Sequence, residues 1–237
     1  AAGYDCYWFD HCLERYKRLR AANIHNVFEL RTALRELLPH VATPDGDDPV
    51  MRAEDALRGR KLDGFFPTPP RVISQMLDHA DIAGTDRVLE PSAGKGDIID
   101  AINRAHPDVE LHGIEYNQTL RDVLTAKGYD DVRFEDFLEH NGQYDKIVMN
   151  PPFESGADIA HVRHAYELLS EGGRLVAIMS QGPFFRSDSK SQAFRAWLEE
   201  HDLAYDEELP EDAFAGSDAF RQTGVRTRLL VIDKPAS

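Results

Sequence analysis

From Phe65 to the end of the chain, short apolar runs alternate with segments of helical spacing, and this alternation is the strongest constraint on the fold. Runs rich in Val, Ile and Leu are typical of strands buried on both faces, as in parallel sheets. Helical segments between such strands are typical of crossover connections. The pattern therefore predicts an α/β fold with a doubly wound, mostly parallel seven-stranded sheet covered by helices. Strands are predicted at residues 87–90, 109–115, 132–134, 144–149, 173–180, 203–207 and 227–233, and helices at residues 97–105, 118–127, 159–169 and 192–200.

The first 60 residues follow a different pattern. Apolar side chains recur at helical spacing between Tyr4 and Leu38, which predicts helices there. Residues 39–49 are rich in proline, glycine and aspartate, which is typical of a linker, and a short helix is predicted around residues 51–58. These features predict a small helical N-terminal extension with its linker over residues 1–60 and the α/β domain over residues 61–237.

The charge balance limits how the chain could contact nucleic acid. With 42 acidic and 27 basic residues, its net charge is −15, whereas proteins that grip a DNA duplex usually present a basic surface. The clustered basic residues are more readily interpreted as solvated helix faces than as phosphate contacts. The acidity favours a small or partner-assisted contact over a wide DNA clamp. These clusters are Arg15, Lys17, Arg18 and Arg20, and then Arg58, Arg60 and Lys61.

The cysteines and the apolar runs bear on the compartment. Cys6 and Cys12 are the only cysteines, too few for a disulfide framework or a zinc site. No apolar run approaches the roughly 18 residues that a membrane span requires, and the start of the sequence lacks the pattern of a signal peptide. The 10 histidines show no metal-ligand spacing. We therefore expect a reduced, cytoplasmic protein without a membrane segment or a metal.

A glycine-containing turn follows the first predicted strand, where ligands of doubly wound sheets bind. It reads Glu-Pro-Ser-Ala-Gly-Lys-Gly over residues 90–96. Gly94 and Gly96 allow a ligand to approach the backbone without interference from a Cβ atom. Lys95 is followed by glycine rather than by Ser or Thr, so the turn is not a Walker loop, and Ile99 occupies the third glycine position of a dinucleotide fingerprint. The turn alone is compatible with either a nucleoside site or a tight strand-to-helix connection.

The second predicted strand ends in an acidic residue, Glu115, about 20 residues after the glycine turn. A carboxylate at this position can accept hydrogen bonds from both hydroxyls of a ribose. A single glutamate at a strand end is more often a capping or solvated residue, but its spacing from the glycine turn favours the ribose interpretation. A nucleoside site without a phosphate clamp is suited to S-adenosyl-L-methionine.

The fourth predicted strand ends in Asn-Pro-Pro-Phe at residues 150–153. The side-chain carbonyl of Asn150 and the backbone carbonyl of Pro151 can accept the two hydrogens of an amino group. Pro151 and Pro152 restrict φ and stiffen the loop, and Phe153 offers an aromatic face for a planar base. As an isolated tetrapeptide this would be an ordinary turn. At the end of a strand, after the two preceding features, it indicates an amine-binding site.

Together these motifs resemble the N6-adenine and N4-cytosine DNA methyltransferases over residues 65–234. The resemblance implies a Rossmann-like class I methyltransferase fold and S-adenosyl-L-methionine as cofactor, with Asn150, Pro151, Pro152 and Phe153 as the catalytic residues. It also implies cofactor contacts from four parts of the chain. These are Phe66 beside the cofactor, Thr68 at its carboxylate, Glu90 at its amino group with Ala93, Gly94 and Gly96 around it, Glu115 at its ribose, and Asp136 with Phe137 at its adenine.

The chain departs from the resembled family in two respects. Lys95 stands where a small or neutral residue is more usual, and no segment is long enough for a separate target-recognition domain. Recognition of DNA is then expected from the N-terminal helices, from the loops 181–189 and 210–222, or from a protein partner. The segment Thr223-Gly224-Val225 resembles the last family motif, near the target pocket. Phe184 and Phe185 are equally compatible with the core and with the target pocket.

The resemblance implies methyl transfer to N6 of adenine in DNA, and three alternatives remain open. RNA adenine N6-methyltransferases share the tetrapeptide, and RNA is recognised largely by shape. Protein glutamine N5-methyltransferases use a related Asn-Pro-Pro segment, usually followed by tyrosine. The chain could also be a non-catalytic, cofactor-binding subunit of a heteromeric methyltransferase, although the intact residues 150–153 argue against this.

Overall fold

A computed structural model describes residues 16, 17, 19–22, 24–26, 29, 30, 48–57, 66–129, 132–210, 213, 214 and 226–236. Contacts divide the chain into two compact units, Ala1–Asp48 and Pro49–Ser237. In the first unit, the side chain of Asn26 accepts a hydrogen bond from the Glu29 amide at 2.9 Å, and Arg20 donates to the Tyr16 hydroxyl at 2.8 Å. Most of the helices predicted within residues 4–38, and most of the linker at 39–49, lie outside the described residues.

The second unit contains a seven-stranded sheet in the order β3-β2-β1-β4-β5-β7-β6. All neighbouring strands are parallel except those that involve β7, which is antiparallel to both β5 and β6. The predicted doubly wound, mostly parallel α/β sheet is confirmed. Its strands are β1 (Arg87–Glu90), β2 (Glu110–Ile114), β3 (Val132–Arg133), β4 (Tyr144–Met149), β5 (Leu169–Ser180), β6 (Asp202–Glu208) and β7 (Thr227–Asp233).

Helices cover both faces of this sheet, and short 3₁₀ turns lie at Gln118–Leu120, Phe137–Glu139 and Glu154–Gly156. The prediction of one helix over residues 118–127 is corrected: its first turn is 3₁₀, because the side chain of Asn117 accepts from the Thr119 amide at 2.9 Å. The α-helices are α1 (Pro49–Leu57), α2 (Pro70–Ala80), α3 (Asp97–Ala105), α4 (Arg121–Ala126), α5 (Ala157–Glu167), α6 (Gly182–Phe185) and α7 (Ser189–Glu199).

The core lies in two layers, one on each face of the sheet, because successive strand residues point to opposite sides. In β4, Ile147 and Met149 pack with α5 and α7, whereas Val148, between them, packs with α2 and α3. All three side chains are completely buried. This double burial explains why the strands are continuous apolar runs rather than alternating ones.

Helix α2 is absent from the sequence prediction. It begins with Pro70 in the first turn, where the missing amide hydrogen costs nothing, and its C-cap Asp81 has φ of +49°. Its buried residues Val72, Ile73 and Met76 cover one face of the sheet. It follows the segment 66–69 directly and so fixes that segment above the strands.

Helix α1 belongs by its contacts to the larger unit. Leu57 is buried with Leu120 and Val123, and Ala53 packs against the same cluster. The sequence predicts that α1 belongs to the N-terminal extension, whereas the contacts place the division of the chain between residues 48 and 49. Of the helices in the described parts of the chain, none is long and apolar enough to cross a membrane.

Candidate active site

A cavity of about 880 Å³ opens at the carboxyl ends of β1, β2 and β4, at the edge where ligands of doubly wound sheets bind. This volume is within the range of about 300–1,000 Å³ that is typical of small-molecule sites. The walls come from the segment before α2, from the loops after β1, β2, β3 and β4, and from α5. The lining residues are Phe66, Pro67, Thr68, Pro91, Ser92, Ala93, Gly94, Lys95, Asp97, Ile98, Glu115, Tyr116, Asn117, Gln118, Leu120, Glu135, Asp136, Phe137, Leu138, Asn150, Pro152, Glu154 and His161.

The glycine turn after β1 forms the floor of the cavity. Gly94 has φ of +57° and lines the cavity, and its amide donates to the Glu115 carboxylate at 2.7 Å. Gly96, with φ of +91°, faces away: a Cβ atom there would lie 3.0 Å from the ring of Tyr129 and 3.3 Å from Leu124. Glycine is therefore required at residue 96 for a backbone conformation and a close approach to α4, not for contact with the cavity.

Glu90 is fully buried at the end of β1, just beneath the cavity lining. Its Oε1 accepts from the Ser92 amide at 3.0 Å, whereas Oε2 is a buried oxygen with no hydrogen-bond partner. Burial, and then repulsion from Glu115 and Asp97, raises the pKa of Glu90 well above its usual value. The Ser92 hydroxyl is also buried without a partner. A small ammonium ligand would satisfy the free carboxylate oxygen.

Glu115 follows β2, and its carboxylate accepts hydrogen bonds from two turns, the glycine turn after β1 and the turn after β2. Oε2 accepts from the Gly94 amide at 2.7 Å, and Oε1 accepts from the Asn117 amide at 2.6 Å. Burial raises the pKa of this carboxyl, and the backbone hydrogen bonds oppose that increase. Each carboxylate oxygen retains acceptor capacity beyond one bond. Its role as the acceptor of two ribose hydroxyls stays a prediction.

The loop after β3 brings Asp136 and Phe137 to the far wall. Asp136 accepts from the Leu138 amide at 2.9 Å, and the buried ring of Phe137 lies 5.4 Å from the ring of His161 on α5. The Nδ1 atom of His161 is buried without a partner, and burial lowers the pKa of this imidazole to about 4. Sequence reasoning missed His161; its only signal is the i, i+3 spacing from the buried Asp158 on one helical face.

Asn150 follows β4 with its amide held in a fixed orientation. Nδ2 donates to the Phe66 carbonyl at 3.0 Å and to the Thr68 hydroxyl at 2.9 Å. Oδ1 is buried and has no hydrogen-bond partner. The side chain lines the cavity, and its carbonyl oxygen is a desolvated acceptor. This arrangement suits a donor such as an amino group.

The other residues of the tetrapeptide differ in position. Pro152 lines the cavity, whereas Pro151 is buried and does not. Phe153 packs against the core beside α2, and its ring stacks on that of Phe66 with the centroids 6.0 Å apart and the planes at 13°. The structure thus pairs Phe153 with Phe66 and leaves neither Phe153 nor the buried Glu90 on the cavity wall.

The loop beyond Phe153 has an unusual backbone that is tied to its surroundings. Ser155 and Gly156 have φ of +55° and +68°. Lys190 donates from Nζ to the Ser155 carbonyl at 3.1 Å. The buried carboxylate of Asp158 accepts from the amide and hydroxyl of Ser180, at 3.1 Å and 2.7 Å. These contacts connect the loop after β4 to the end of β5.

Other predicted features lie in or beside the site, and one lies outside the described residues. Lys95 lines the cavity, with Nζ 3.3 Å from Asp97 and 3.7 Å from Glu54. Tyr116, Gln118 and Leu138 are further lining residues that the sequence analysis did not single out. Thr223-Gly224-Val225 and most of the loop 210–222 lie outside the described residues. The described residues include no group of three or more His, Cys, Asp or Glu side chains that could hold a metal.

Residues 71–184 match the model of the methyltransferase small domain family. The 2.20 Å structure of a putative class I S-adenosylmethionine-dependent methyltransferase from Listeria monocytogenes superposes with a TM-score of 0.61 at 14% identity, over 90% of this chain and 76% of that one. The chain shares its fold with the class I S-adenosylmethionine-dependent methyltransferases, and residues 71–184 are similar to a methyltransferase domain. The family match and the fold confirm S-adenosylmethionine as the cofactor.

Relatives of this methyltransferase include a modification methylase, CviBIII, from Paramecium bursaria Chlorella virus NC1A. The two are 31% identical over 97 residues, which are 38% of this chain and 26% of the relative, so the chain spans about a quarter of that relative's length. The type I restriction-modification methyltransferase subunit from Streptococcus thermophilus has a TM-score of 0.59 at 20% identity, over 71% of this chain and 44% of that one. A putative RNA methyltransferase from Pyrococcus horikoshii has a TM-score of 0.53 at 17% identity, over 81% and 99%. The predicted resemblance to the amino DNA methyltransferases is thus confirmed.

Proposed function

We propose that this methyltransferase transfers a methyl group from S-adenosylmethionine to the exocyclic N6 amino group of adenine in DNA. The observation that carries the proposal is the orientation of Asn150. Its Nδ2 is anchored by two acceptors of the segment 66–68, and its Oδ1 is left as a buried acceptor beside the cavity. Such an acceptor disfavours a carbonyl or phosphate oxygen as the reacting group and favours an N–H donor.

The residues after β4 would act on the nucleophile. Asn150 Oδ1 and the Pro151 carbonyl would accept the two amino hydrogens, which favours a tetrahedral nitrogen and stabilises the positive charge that develops on it. When bound, S-adenosylmethionine would supply the electrophilic methyl group: its sulfur–methyl bond would break as the nitrogen–methyl bond forms, with S-adenosylhomocysteine as the leaving group. One proton leaves the methylated nitrogen, held by Asn150 Oδ1 until it passes to water. No cysteine nucleophile takes part in this proposal.

The other predicted residues would hold the cofactor. Glu90 would accept the ammonium of the methionine moiety at its free Oε2, beside Ala93 and Gly94, and Glu115 would accept the ribose hydroxyls. Asp136 would accept the adenine amino group, with Phe137 beside it. Thr68 can donate its hydroxyl to the cofactor carboxylate while it accepts from Asn150. Phe66 would cover the cofactor, and Gly96 would act through the shape of the turn.

DNA as the substrate is supported by the similarity to a modification methylase and by a fold shared with a type I restriction-modification subunit. The net charge of −15 supports a protein partner that supplies target recognition. We therefore propose a restriction-modification setting in the cytoplasm, with DNA and one protein partner.

RNA is the second candidate substrate. The shared fold of a putative RNA methyltransferase favours it over protein glutamine. An amino group on an unpaired base would present the same two hydrogens to Asn150 and Pro151. A heteromeric assembly in which this chain binds cofactor without turnover is the third candidate.

The test is transfer of labelled methyl from S-adenosylmethionine to unmethylated DNA, to RNA and to a protein mixture. Digestion to nucleosides identifies the product, and Asn150→Ala is the control. The expected product is N6-methyladenine in DNA, reduced at least about 100-fold in the variant, since losing one oriented transition-state contact typically costs this much. Label in RNA or protein instead would overturn the DNA assignment. Cofactor binding without transfer to any substrate would indicate a non-catalytic subunit.

A further inference from the structure

The two adjacent aromatic residues after β5 point in opposite directions. The ring of Phe184 faces the core, 6.0 Å from the ring of Phe194, with the guanidinium of Arg228 4.9 Å from its centroid. The side chain of Phe185 is 68% exposed, although phenylalanine is usually buried. Only one of the two rings is therefore used for packing.

The exposed ring is held in place by its backbone. Arg195 donates from one guanidinium nitrogen to the carbonyls of Pro183 and Arg186, at 2.7 Å and 2.9 Å. These two carbonyls flank Phe185 in the chain, so a single cation fixes the backbone on both sides of the ring. A ligand that stacks on Phe185 would lose little entropy in ordering this loop.

The segment that carries this exposed ring contacts the proposed catalytic loop. The strand β5 pairs with β4, and its end is bonded to Asp158 through Ser180. A few residues further on, Lys190 donates to the carbonyl of Ser155, in the turn that follows Asn-Pro-Pro-Phe. The segment 181–195 therefore contacts the loop that carries Asn150.

The same segment carries a net positive charge, whereas the whole chain is negatively charged. Residues 181–195 contain three basic residues, Arg186, Lys190 and Arg195, and one acidic residue, Asp188, in a protein whose net charge is −15. The carboxylate of Asp188 is occupied as the cap of α7, where it accepts from the amide and hydroxyl of Ser191 at 2.9 Å each. A local positive surface beside an exposed aromatic ring is typical of sites that bind unpaired nucleotides.

We propose that Phe185, Arg186 and Lys190 form a stacking surface for an unpaired base that neighbours the methylated nucleotide. Phe185 would stack on the base, and the two cations would contact the phosphates on either side of it. This inference rests on the proposed nucleic-acid substrate and extends it. The preferred substrate has unpaired bases next to the target, as in a single strand or an opened duplex.

The test compares two substitutions of Phe185 in the full chain with cofactor present. Phe185→Leu keeps an apolar side chain but removes the stacking face, whereas Phe185→Tyr keeps it. Binding of a fluorescein-labelled, adenine-containing single strand and of the matching duplex is followed by anisotropy. Since stacking of one base is worth about 1–3 kcal/mol, Phe185→Leu should weaken single-strand binding about 5- to 160-fold. Phe185→Tyr should stay within about twofold of wild type.

Further variants separate the contributions of charge and fold. Arg186→Gln and Lys190→Gln should each reduce the slope of log affinity against log salt by about 0.7 for a single strand. Leu203→Ala, at an exposed apolar residue in β6, is the matched control and should change neither measurement. Affinity for S-adenosylmethionine, measured calorimetrically, should be unchanged in all of these variants.

The outcomes distinguish this inference from the proposed function. If wild type binds and methylates nucleic acid but Phe185→Leu binds the single strand as wild type does, the stacking surface is wrong and the function stands. If both substitutions weaken binding equally, the ring does not act by stacking. If wild type binds cofactor but no DNA or RNA, the nucleic-acid substrate fails and this inference fails with it.

Discussion

Asn150 and Thr68 are separated by 82 positions in the chain and are joined by a hydrogen bond of 2.9 Å from Nδ2 to Oγ1. This bond connects the segment before α2 to the loop after β4, so residues predicted to contact the cofactor also orient the residue predicted to bind the amine. The neighbouring carbonyl of Phe66 accepts from the same nitrogen at 3.0 Å. The amide therefore cannot turn over without losing two hydrogen bonds.

Thr68→Val should slow methyl transfer. The variant removes the hydroxyl that accepts from Asn150, and loss of one hydrogen bond typically costs about 0.5–1.5 kcal/mol, which corresponds to roughly 3- to 10-fold in kcat. Steady-state kinetics at saturating cofactor would measure the effect. Thr68→Ser, which retains the hydroxyl, should stay close to wild type, and an equal loss in the serine variant would contradict the proposed role of the bond.

Glu90→Gln should weaken binding of S-adenosylmethionine by about 10- to 100-fold, since a charge-assisted hydrogen bond to a buried carboxylate is worth about 1.5–3 kcal/mol. Isothermal titration calorimetry measures this directly. Adenosine, which lacks the ammonium group, is the matched ligand control, and its affinity should change little. A similar loss for both ligands would indicate that Glu90 does not act through the ammonium group of the cofactor.

The same residue should control how the stability of the cofactor-free protein depends on pH. Because burial raises the pKa of Glu90, its protonated form is favoured on folding. The corresponding stability is fully present below the unfolded pKa of about 4.3 and is lost as pH rises through the raised value. Thermal unfolding across that interval should show wild type losing stability relative to Glu90→Gln. Parallel pH profiles for the two proteins would contradict this assignment.

His161 should have the opposite pH dependence to Glu90. Burial lowers the pKa of its imidazole to about 4, so the stability linked to its neutral form is present above the unfolded pKa of about 6.5 and is lost as pH falls towards 4. Urea unfolding at pH 7 and at pH 5 should show a larger decrease for wild type than for His161→Phe. Equal decreases would indicate that the imidazole titrates normally.

Asp158→Ala should destabilise the protein by about 2–4 kcal/mol, because it leaves the Ile159 amide and both donors of Ser180 without their acceptor. Asp188→Ala is the matched control. It also removes an aspartate that accepts from a serine amide and hydroxyl, but Asp188 is exposed, so the expected cost is about 1 kcal/mol. Urea unfolding of both variants gives the comparison, and equal losses would contradict the importance of burial.

The sheet was largely predictable because its strands are buried on both faces and each is an uninterrupted apolar run. The bounds of β1, β4 and β7 are the predicted ones, 87–90, 144–149 and 227–233. Helix α2 was not predicted. Its bounds are set by Pro70 in the first turn and by the C-cap Asp81, which has positive φ, and neither residue marks the end of a clear apolar pattern in the sequence. The early start of β5 at Leu169 was missed because its pairing with Tyr144 involves a register shift.

Within the site, the sequence indicates which loops converge but not how their side chains pair. The strand ends predict that Glu90, Glu115 and Asn150 approach one edge of the sheet. The hydrogen bond from Asn150 to Thr68 and the burial of His161 depend on the segment before α2 and on α5, which reach the cavity only in the folded chain. Likewise, Phe184 and Phe185 are chemically identical in the sequence, and only the packing against Phe194 distinguishes them.

Four side-chain atoms in the described part of the chain are buried without a hydrogen-bond partner, and they belong to Glu90, Ser92, Asn150 and His161. All four lie in or directly beneath one cavity. The free energy lost by burying these atoms without hydrogen bonds can therefore be regained when a ligand binds there. Ligand at about 100 times its Kd would add about 2.7 kcal/mol to the folded state. Resistance of the purified protein to proteolysis should therefore increase with the concentration of S-adenosylmethionine.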